Sequence, residues 1–142
     1  MNNGRFAISV HILSLLAFEE EEWISSEYLA GSININPVLV RKELGNLRAR
    51  GLVISKEGKA GGSQLAKPAE SIFMSEIYDA VRQNDLLGKG INAPNPKCRV
   101  GRQINGYLDE LYTEAELALR DSLSKKSLAD FCRNFETVNP KT

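Results

Sequence analysis

The chain has 142 residues, of which 42% are hydrophobic and 25% are charged, the size and composition of one globular domain. Collagen-like, disordered and disulfide-scaffold classes are thereby excluded. The most apolar stretch, residues 6–18, is interrupted by polar side chains and is too short to cross a bilayer, so neither a membrane partner nor a signal peptide is expected. The two cysteines make no disulfide framework and indicate a reducing, cytoplasmic location.

The formal net charge is zero, with 18 basic and 18 acidic residues, but the charges are unevenly distributed along the chain. Residues 33–68 hold seven Lys and Arg and only two Glu, a net charge of +5, so the remainder carries −5. An asymmetry of this size favours binding to nucleic acid or to another anionic surface. A solvated helix face that happens to be basic would give the same count.

The first two elements are predicted as helices. Apolar residues recur at helical spacing over Arg5–Phe18, which indicates an amphipathic helix that ends before the acidic run 19–22. Ser25 is a natural N-cap for a short second helix, and Glu27 favours the positive end of that helix. The apolar face predicted for the second helix consists of Tyr28, Leu29 and Ile33.

A third helix is predicted to begin at Asn36-Pro37, because Asn is a good N-cap and Pro suits the first helical position. Gly51 is placed to end this helix. Two short apolar runs, 52–54 and 63–66, flank a Gly-rich turn and predict a β-hairpin. The apolar stripe that anchors the third helix consists of Val40, Leu44 and Leu47.

The C-terminal half is predicted to be helical as well. A helix over Met74–Gln83 is followed by a loop, and the longest helical pattern in the chain runs from Pro96 to Leu123. A last short helix is expected over Leu128–Asn134. The sequence therefore predicts a mainly α (α+β) fold. Its parts are a winged helix-turn-helix domain (1–83), a loop (84–97), and a long dimerisation helix with a short C-terminal helix (98–142).

A helix-turn-helix followed at once by a basic hairpin is the order of elements in a winged helix that binds double-stranded DNA. The second helix enters the major groove, where Arg pairs with guanine, Asn pairs with adenine and Val packs on thymine methyl groups. Lysines beside the hairpin glycines suit phosphates or the minor groove. The residues predicted to contact DNA are Ser25, Ser26, Asn36, Pro37, Val38, Arg41, Lys42, Arg48, Lys56 and Lys59. A winged helix used only for protein contacts is the alternative.

The segment Ser25–Val81, above all NPVLVRKELGNLRARGLVISKEGKAGGSQLAKP, resembles the Rrf-two (Rrf2) family of bacterial winged-helix repressors. The likeness continues through MSEIYDAV and NPKCRVGRQI. The resemblance implies a homodimer that forms through the long C-terminal helix and binds a palindromic operator. The expected dimerisation residues are Val100, Ile104, Leu108, Leu111, Ala115 and Leu119. Packing of this stripe on the chain's own N-terminal helix is the alternative.

The chain departs from the family pattern at two places. Glu57 stands where family members often carry an Arg at the start of the Gly-rich turn. This difference weakens the hypothesis that an arginine of the wing enters the minor groove. Cluster-binding members place three cysteines before the long helix, whereas this chain has only Cys98 there. Because iron–sulfur clusters need mostly thiolate ligands, neither a cluster nor another cofactor or metal site is expected.

Cys98 is expected at the third position of the long helix, which Asn95-Pro96 would begin. The helix dipole and nearby cations, Lys97, Arg99 and Arg102, would favour the thiolate, so Cys98 is a candidate redox sensor. A small buried hydrophobe is the alternative for this cysteine.

No enzyme is indicated, because one His, two distant Cys and no phosphate-cradling or nucleophile motif leave no catalytic constellation. The sequence predicts a transcriptional regulator, a homodimeric repressor that responds to thiol oxidation at Cys98. The alternative is an effector-binding or protein-interaction winged-helix module that responds to a small metabolite without cluster or redox chemistry. The sequence does not identify the effector.

Overall fold

A computed structural model describes residues 4–82 and 93–136. In chain order, its elements are α1 (Arg5–Phe18), α2 (Ser26–Ile33), α3 (Pro37–Ala49), β1 (Val53–Lys56), β2 (Gly62–Leu65), α4 (Met74–Val81), α5 (Ile104–Leu123) and α6 (Leu128–Glu136), with a 3₁₀ turn at Ala69–Ser71. The helices and the antiparallel hairpin confirm the predicted mainly α winged-helix fold. No helix in the described ranges is long and apolar enough to cross a membrane.

Helix α1 lies at the centre of the core and packs against α2, α3, α4, α6 and β2. Its bounds are those predicted from its apolar spacing. The side chains that it buries completely include Ile12, Leu13 and Leu16. Helices α2, α3, α4 and α6 and strand β1 contribute further buried apolar residues, among them Leu29, Leu47, Val53, Ile77 and Leu128.

The hairpin β1–β2, called the wing below, pairs Val53 with Leu65 and Lys56 with Gly62. The connection from α1 to α2 adds an antiparallel bridge between Ile24 and Ser63, with N···O distances of 3.1 and 2.8 Å. The wing is therefore attached by backbone hydrogen bonds at the place where α2 begins. This attachment limits how far the wing can move relative to the helix-turn-helix.

Helix α6 packs on the winged helix and closes the core from the C-terminal side. Phe73 and Ser127 form a second antiparallel bridge, and the Leu128 N–H donates to the Ile72 carbonyl at 2.7 Å. Leu128 and Cys132 are both buried in the common core. The helix extends to Glu136, beyond the predicted end at Asn134.

The prediction that the long helix begins at Pro96 is wrong, because α5 begins at Ile104. Residues 96–103 form successive turns in which N–H groups donate to carbonyls alternately three and four residues back. A Cβ on Gly101 would lie 2.7 Å from the Asn95 carbonyl oxygen, so the chain folds tightly back on itself here. Gln83 and most of the predicted loop 84–97 lie outside the described residues.

Candidate nucleic-acid interface

The turn between α2 and α3 is held by caps at both sides. Ser25 Oγ accepts from the Tyr28 N–H at 3.1 Å, and Asn36 Oδ1 accepts from the Val38 N–H at 2.7 Å. Asn34 ends α2 with φ +66°, a left-handed conformation that Asn tolerates better than most residues. Both predicted N-caps and Pro37 at the first position of α3 are confirmed.

Helix α3 is anchored to the body by its inner face. Val40, Leu44 and Leu47 are buried, as predicted. Glu43 is buried on the same face, where its carboxylate accepts from Arg5 Nε at 2.7 Å. The helix ends as expected: Gly51 has φ +77°, and its N–H and that of the next residue donate back to α3 carbonyls.

The outer face of α3 is exposed and basic. Val38 is 60% exposed, and Arg41, Lys42 and Arg48 are exposed as well. Leu39, which the sequence did not single out, is also exposed on the first turn. An exposed apolar side chain next to exposed cations is suited to the major groove, where thymine methyl groups alternate with hydrogen-bonding base edges.

Three predicted contact residues meet at the N-terminal end of α2. The Arg41 guanidinium lies 3.4 Å from Ser26 Oγ and 3.6 Å from Glu27 Oε2, next to the N-cap Ser25. Tyr28 is 53% exposed here, so its predicted place on the apolar face of α2 is wrong. The helix is only eight residues long and buries Leu29 and Ala30, which turns Tyr28 outward.

Arg48 connects α3 to the wing. Its Nη1 donates to Ser55 Oγ on β1 at 2.9 Å, and Ser55 Oγ lies 3.0 Å from Ser63 Oγ on β2. This chain of polar contacts joins the C-terminal half of α3 to both strands of the wing. Arg48 therefore lies between the two elements predicted to contact DNA and is not at the tip of either.

The two wing lysines occupy different positions. Lys56 Nζ lies 5.7 Å from the centre of the Trp23 ring, a cation–π contact that orients its charge beside α2. Lys59 is exposed near the tip and lines an open cleft of about 310 Å³ together with Trp23, Ser25 and Tyr28. The two aromatic residues of this cleft are not predicted from the sequence, because charge and capping patterns indicate only charged and capping side chains as DNA contacts.

The Gly-rich turn of the wing requires glycine at its end. A Cβ on Gly61 would lie 2.0 Å from the Lys56 carbonyl oxygen, and one on Gly62 would lie 2.5 Å from the Ile24 carbonyl oxygen. Gly58 has φ +100°, which disfavours any other residue. The turn is therefore pressed against backbone on both sides, and this close packing sets the position of Lys59.

The predicted dimerisation residues differ in exposure. Val100 lies in the turns before α5 and not on the helix, and its side chain is 62% exposed. Ile104 and Leu111 are exposed on α5, together with Tyr107. The remaining positions are partly covered within the chain: Leu108, Ala115 and Leu119. The apolar stripe thus continues from the turns into the first half of α5 and turns towards the body further along.

Cys98 does not occupy the helix position expected for it. It is exposed in the turns before α5, where its N–H donates to the Asn95 carbonyl at 3.1 Å and its own carbonyl accepts from the Arg102 N–H at 2.9 Å. Its N–H is already bonded and α5 begins six residues later, at Ile104, so Cys98 does not lie in the first turn of a helix as predicted. The thiol itself remains accessible.

A protruding helix behind a capped turn, joined through Arg48 to a basic wing, defines a winged helix-turn-helix DNA-binding protein. The family model Rrf2, described as an iron-dependent transcriptional regulator, matches residues 2–134. The chain therefore belongs to the Rrf2 family of transcriptional regulators and is not an enzyme.

The relatives share the arrangement over most of their length. YwnA of Bacillus subtilis (strain 168), named as an HTH-type transcriptional regulator, is 39% identical over 130 residues, 92% of this chain and 96% of YwnA. A crystal structure described as a DNA-binding protein is 36% identical, covers 89% of this chain and 97% of its own, and superposes with a TM-score of 0.73. CymR of B. subtilis, 19% identical with coverage of 94% and 97% and a TM-score of 0.70, shows the same fold.

The family description implies iron, but the donor set of this chain does not fit an iron–sulfur cluster. The chain has two cysteines, of which Cys98 is exposed and Cys132 is buried in the core on α6. The single histidine, His11, lies on α1 with its Nε2 3.1 Å from Ser32 Oγ. Within residues 4–82 and 93–136, no three His, Cys, Asp or Glu side chains are grouped closely enough to hold a metal ion.

Proposed function

We propose that this regulator is a cytoplasmic homodimeric repressor that binds a palindromic operator through α3 and the wing. The observation that carries the proposal is the exposed outer face of α3, with Arg41 and Lys42 projecting from it and Arg48 bonded to Ser55 of the wing. An exposed basic helix supported at both ends by the body is the arrangement that major-groove recognition requires.

The roles of the α3 residues follow from their contacts. The Asn36 side-chain oxygen is engaged by the Val38 N–H, so Asn36 and Pro37 act in this proposal as the cap that positions the helix. Val38 and Arg41 then read base edges, and Lys42 neutralises a phosphate. Ser25, Ser26, Lys56 and Lys59 line the approach to the phosphate backbone on either side.

The experiment is to select genomic fragments with the purified protein and to measure affinity for a selected operator by fluorescence anisotropy at several salt concentrations. We expect log affinity to fall steeply with log salt, because bound phosphates release counterions. Arg41→Ala should cost about 1–3 kcal/mol and relax base preference at one position, whereas Lys42→Ala should weaken all sequences and reduce the salt slope by about one. Lys126→Ala, an exposed lysine next to α6, is the matched control.

Operator affinity that is unchanged in both α3 variants would contradict the assignment of α3 as the recognition helix. Equal losses in the Lys126→Ala control would show that the effect is only a loss of overall charge. Selection that yields no preferred sequence, with binding by a protein ligand instead, would favour the alternative of an interaction module.

The dimer is proposed from the exposed apolar residues Val100, Ile104, Tyr107 and Leu111 at the start of the long helix. These side chains form a continuous stripe that a second copy of the chain would cover. We expect sedimentation velocity to show a dimer at micromolar concentration and Leu111→Arg to dissociate it. A monomeric wild-type protein would contradict the proposed homodimer and palindrome.

We further propose that this member functions without a bound cluster, since it offers one sulfur where a cluster needs several. Protein purified without oxygen should then lack the visible absorbance of an iron–sulfur chromophore and should bind its operator equally well with or without a chelator. A stoichiometric iron and sulfide content would overturn this part of the proposal.

The two candidates for the signal that controls this regulator are oxidation of Cys98 and binding of a small metabolite. Redox sensing at Cys98 is supported only by the exposure of its thiol. Control by a small metabolite, without redox chemistry, is the alternative. Operator affinity measured with and without peroxide, in wild type and in Cys98→Ser, separates them, because only a Cys98 sensor loses its oxidant response in the variant. If both proteins ignore the oxidant, redox sensing at Cys98 is wrong.

A further inference from the structure

The long helix contacts the rest of the protein through polar side chains and through partly covered apolar ones, among them Leu123. Across the twenty residues of α5, all of which the structure describes, no side chain is fully buried. Its main contact with the body is to α4, the last helix of the winged-helix domain. Because no apolar side chain of α5 is fully buried, polar side chains contribute to the angle at which this helix packs.

Glu116 is the centre of these contacts. Its Oε2 accepts from the Tyr78 hydroxyl at 3.1 Å and lies 3.1 Å from Arg82 Nε and 3.9 Å from Arg120 Nε. Its side chain is only 14% exposed, less than that of either arginine. One carboxylate on α5 thus contacts both Tyr78 of α4 and Arg82, the residue that follows this helix.

A second contact lies one turn further along α5. Arg120 Nη2 donates to Asp79 Oδ1 at 2.6 Å. Burial and the hydrogen bond to Glu116 both raise the pKa of Tyr78, so its hydroxyl remains a donor to the carboxylate at neutral pH. Two attachment points between a pair of helices restrict rotation of one helix about the other, which a single point would not.

We infer that Glu116 is a positioning residue for operator recognition, since its carboxylate sets the angle between α5 and the winged helix and thereby the separation of the two recognition helices. This inference rests on the homodimer and the operator proposed above. Glu116 lies twelve residues, about 18 Å, from the start of α5 at Ile104, so a rotation of about 10° about Glu116 displaces that end by about 3 Å. That displacement is close to the rise of one base pair, about 3.4 Å.

The test uses Glu116→Gln, which keeps the shape and an acceptor oxygen but removes the charge that both arginines contact. Glu110→Gln, the same change at an exposed position of α5, is the matched control. Tyr78→Phe removes one hydrogen bond and leaves the charges, so it remains informative if Glu116→Gln folds poorly. Circular dichroism melts establish that each variant is folded, and sedimentation velocity establishes that it is dimeric.

Each protein is titrated with duplexes that carry the same two selected half-sites, with the spacer changed by one or two base pairs, and with a duplex that holds one half-site. We expect the wild type and Glu110→Gln to prefer the selected spacing by about tenfold, since misplaced half-sites lose base contacts. Glu116→Gln should reduce this preference to about threefold or less, with unchanged affinity for the single half-site, and Tyr78→Phe should act in the same direction.

A dimeric Glu116→Gln protein with the spacing preference of the wild type would overturn the inference and leave the proposed function intact. A loss of affinity for the single half-site that equals the loss for the full operator would also overturn the inference, because it would show that the substitution damages the DNA-binding surface of α3 and the wing. A wild-type protein that is monomeric or ignores the spacer would overturn the inference together with the proposed homodimer.

Discussion

The guanidinium of Arg5, at the start of α1, holds the carboxylate of Glu43 on the inner face of α3, with 2.7 Å between Nε and Oε2 and 3.2 Å between Nη2 and Oε1. The Glu43 side chain is only 7% exposed. This ion pair joins the central helix to the back of the recognition helix. It also compensates one of the two acidic residues in the basic segment 33–68, so the outward face of that segment is more basic than its composition implies.

Arg5→Met should destabilise the protein by about 2–3 kcal/mol, because it leaves the buried Glu43 carboxylate without its partner. Urea unfolding followed by circular dichroism measures the change. In the double variant Arg5→Met/Glu43→Leu, most of the lost stability should return, since no buried charge is left unpaired. An Arg5→Met protein within about 0.5 kcal/mol of the wild type would show that the ion pair contributes little.

Trp23 is the only tryptophan in the chain, and it lies between Lys56 and the start of α2. Its emission should therefore change when operator DNA occupies this side of the molecule, and the midpoint should match that of an anisotropy titration. Lys56→Met removes the cation over the ring, worth about 0.5–1 kcal/mol at an exposed site, and should reduce the change in emission. Constant emission at saturating operator would place the wing away from the DNA.

Gly61→Ala should disrupt the wing, because the added Cβ would meet the Lys56 carbonyl oxygen at 2.0 Å. We expect a loss of stability above about 1 kcal/mol and weaker operator binding. Gly31→Ala is the control: that glycine is in α2 with open space around it, so alanine should leave stability unchanged or raise it by up to about 1 kcal/mol. Wild-type operator affinity in Gly61→Ala would mean that the wing geometry does not matter for binding.

Ser127 and Asp130 form a reciprocal cap at the start of α6. The Asp130 N–H donates to Ser127 Oγ and the Ser127 N–H donates to Asp130 Oδ2, each at 3.0 Å. Ser127→Ala should cost about 1 kcal/mol in a urea titration at neutral pH. A cost near zero would show that α6 holds its position by packing alone.

The same cap predicts a pH dependence. The hydrogen bond from the Ser127 N–H, with help from Arg133, lowers the pKa of Asp130 below its ordinary value. A lowered pKa in the folded state means that this stabilisation is complete above about pH 4, the unfolded value, and is lost as the pH falls through the folded pKa. Asp130→Asn should therefore lose stability relative to the wild type at pH 7, with a difference that shrinks towards pH 2 in urea titrations. An equal difference at both pH values would contradict this account.

Local rules were sufficient for the helix-turn-helix. The sequence correctly predicts the caps at Ser25 and Asn36, the proline that follows and the terminating Gly51. Each of these acts on backbone groups within a few residues of itself. The apolar periodicity of α1 also predicted both of its ends, because helical spacing relates residues that are near each other in the chain. The start of α5 was missed because Gly101 packs against Asn95, a contact that a helical pattern does not reveal.

The distribution of charge along the sequence, +5 over residues 33–68 within a neutral chain, favoured a nucleic-acid partner, and the predicted helix-turn-helix and hairpin indicated the segment that would bind it. Only the tertiary structure decided which charges reach the surface. It buries Glu43 against Arg5, ties Arg41 to α2 and Arg48 to the wing, and joins α5 to α4 through Glu116. Caps and periodicity act between neighbours in the chain, whereas these ion pairs join residues that only the folded core brings together.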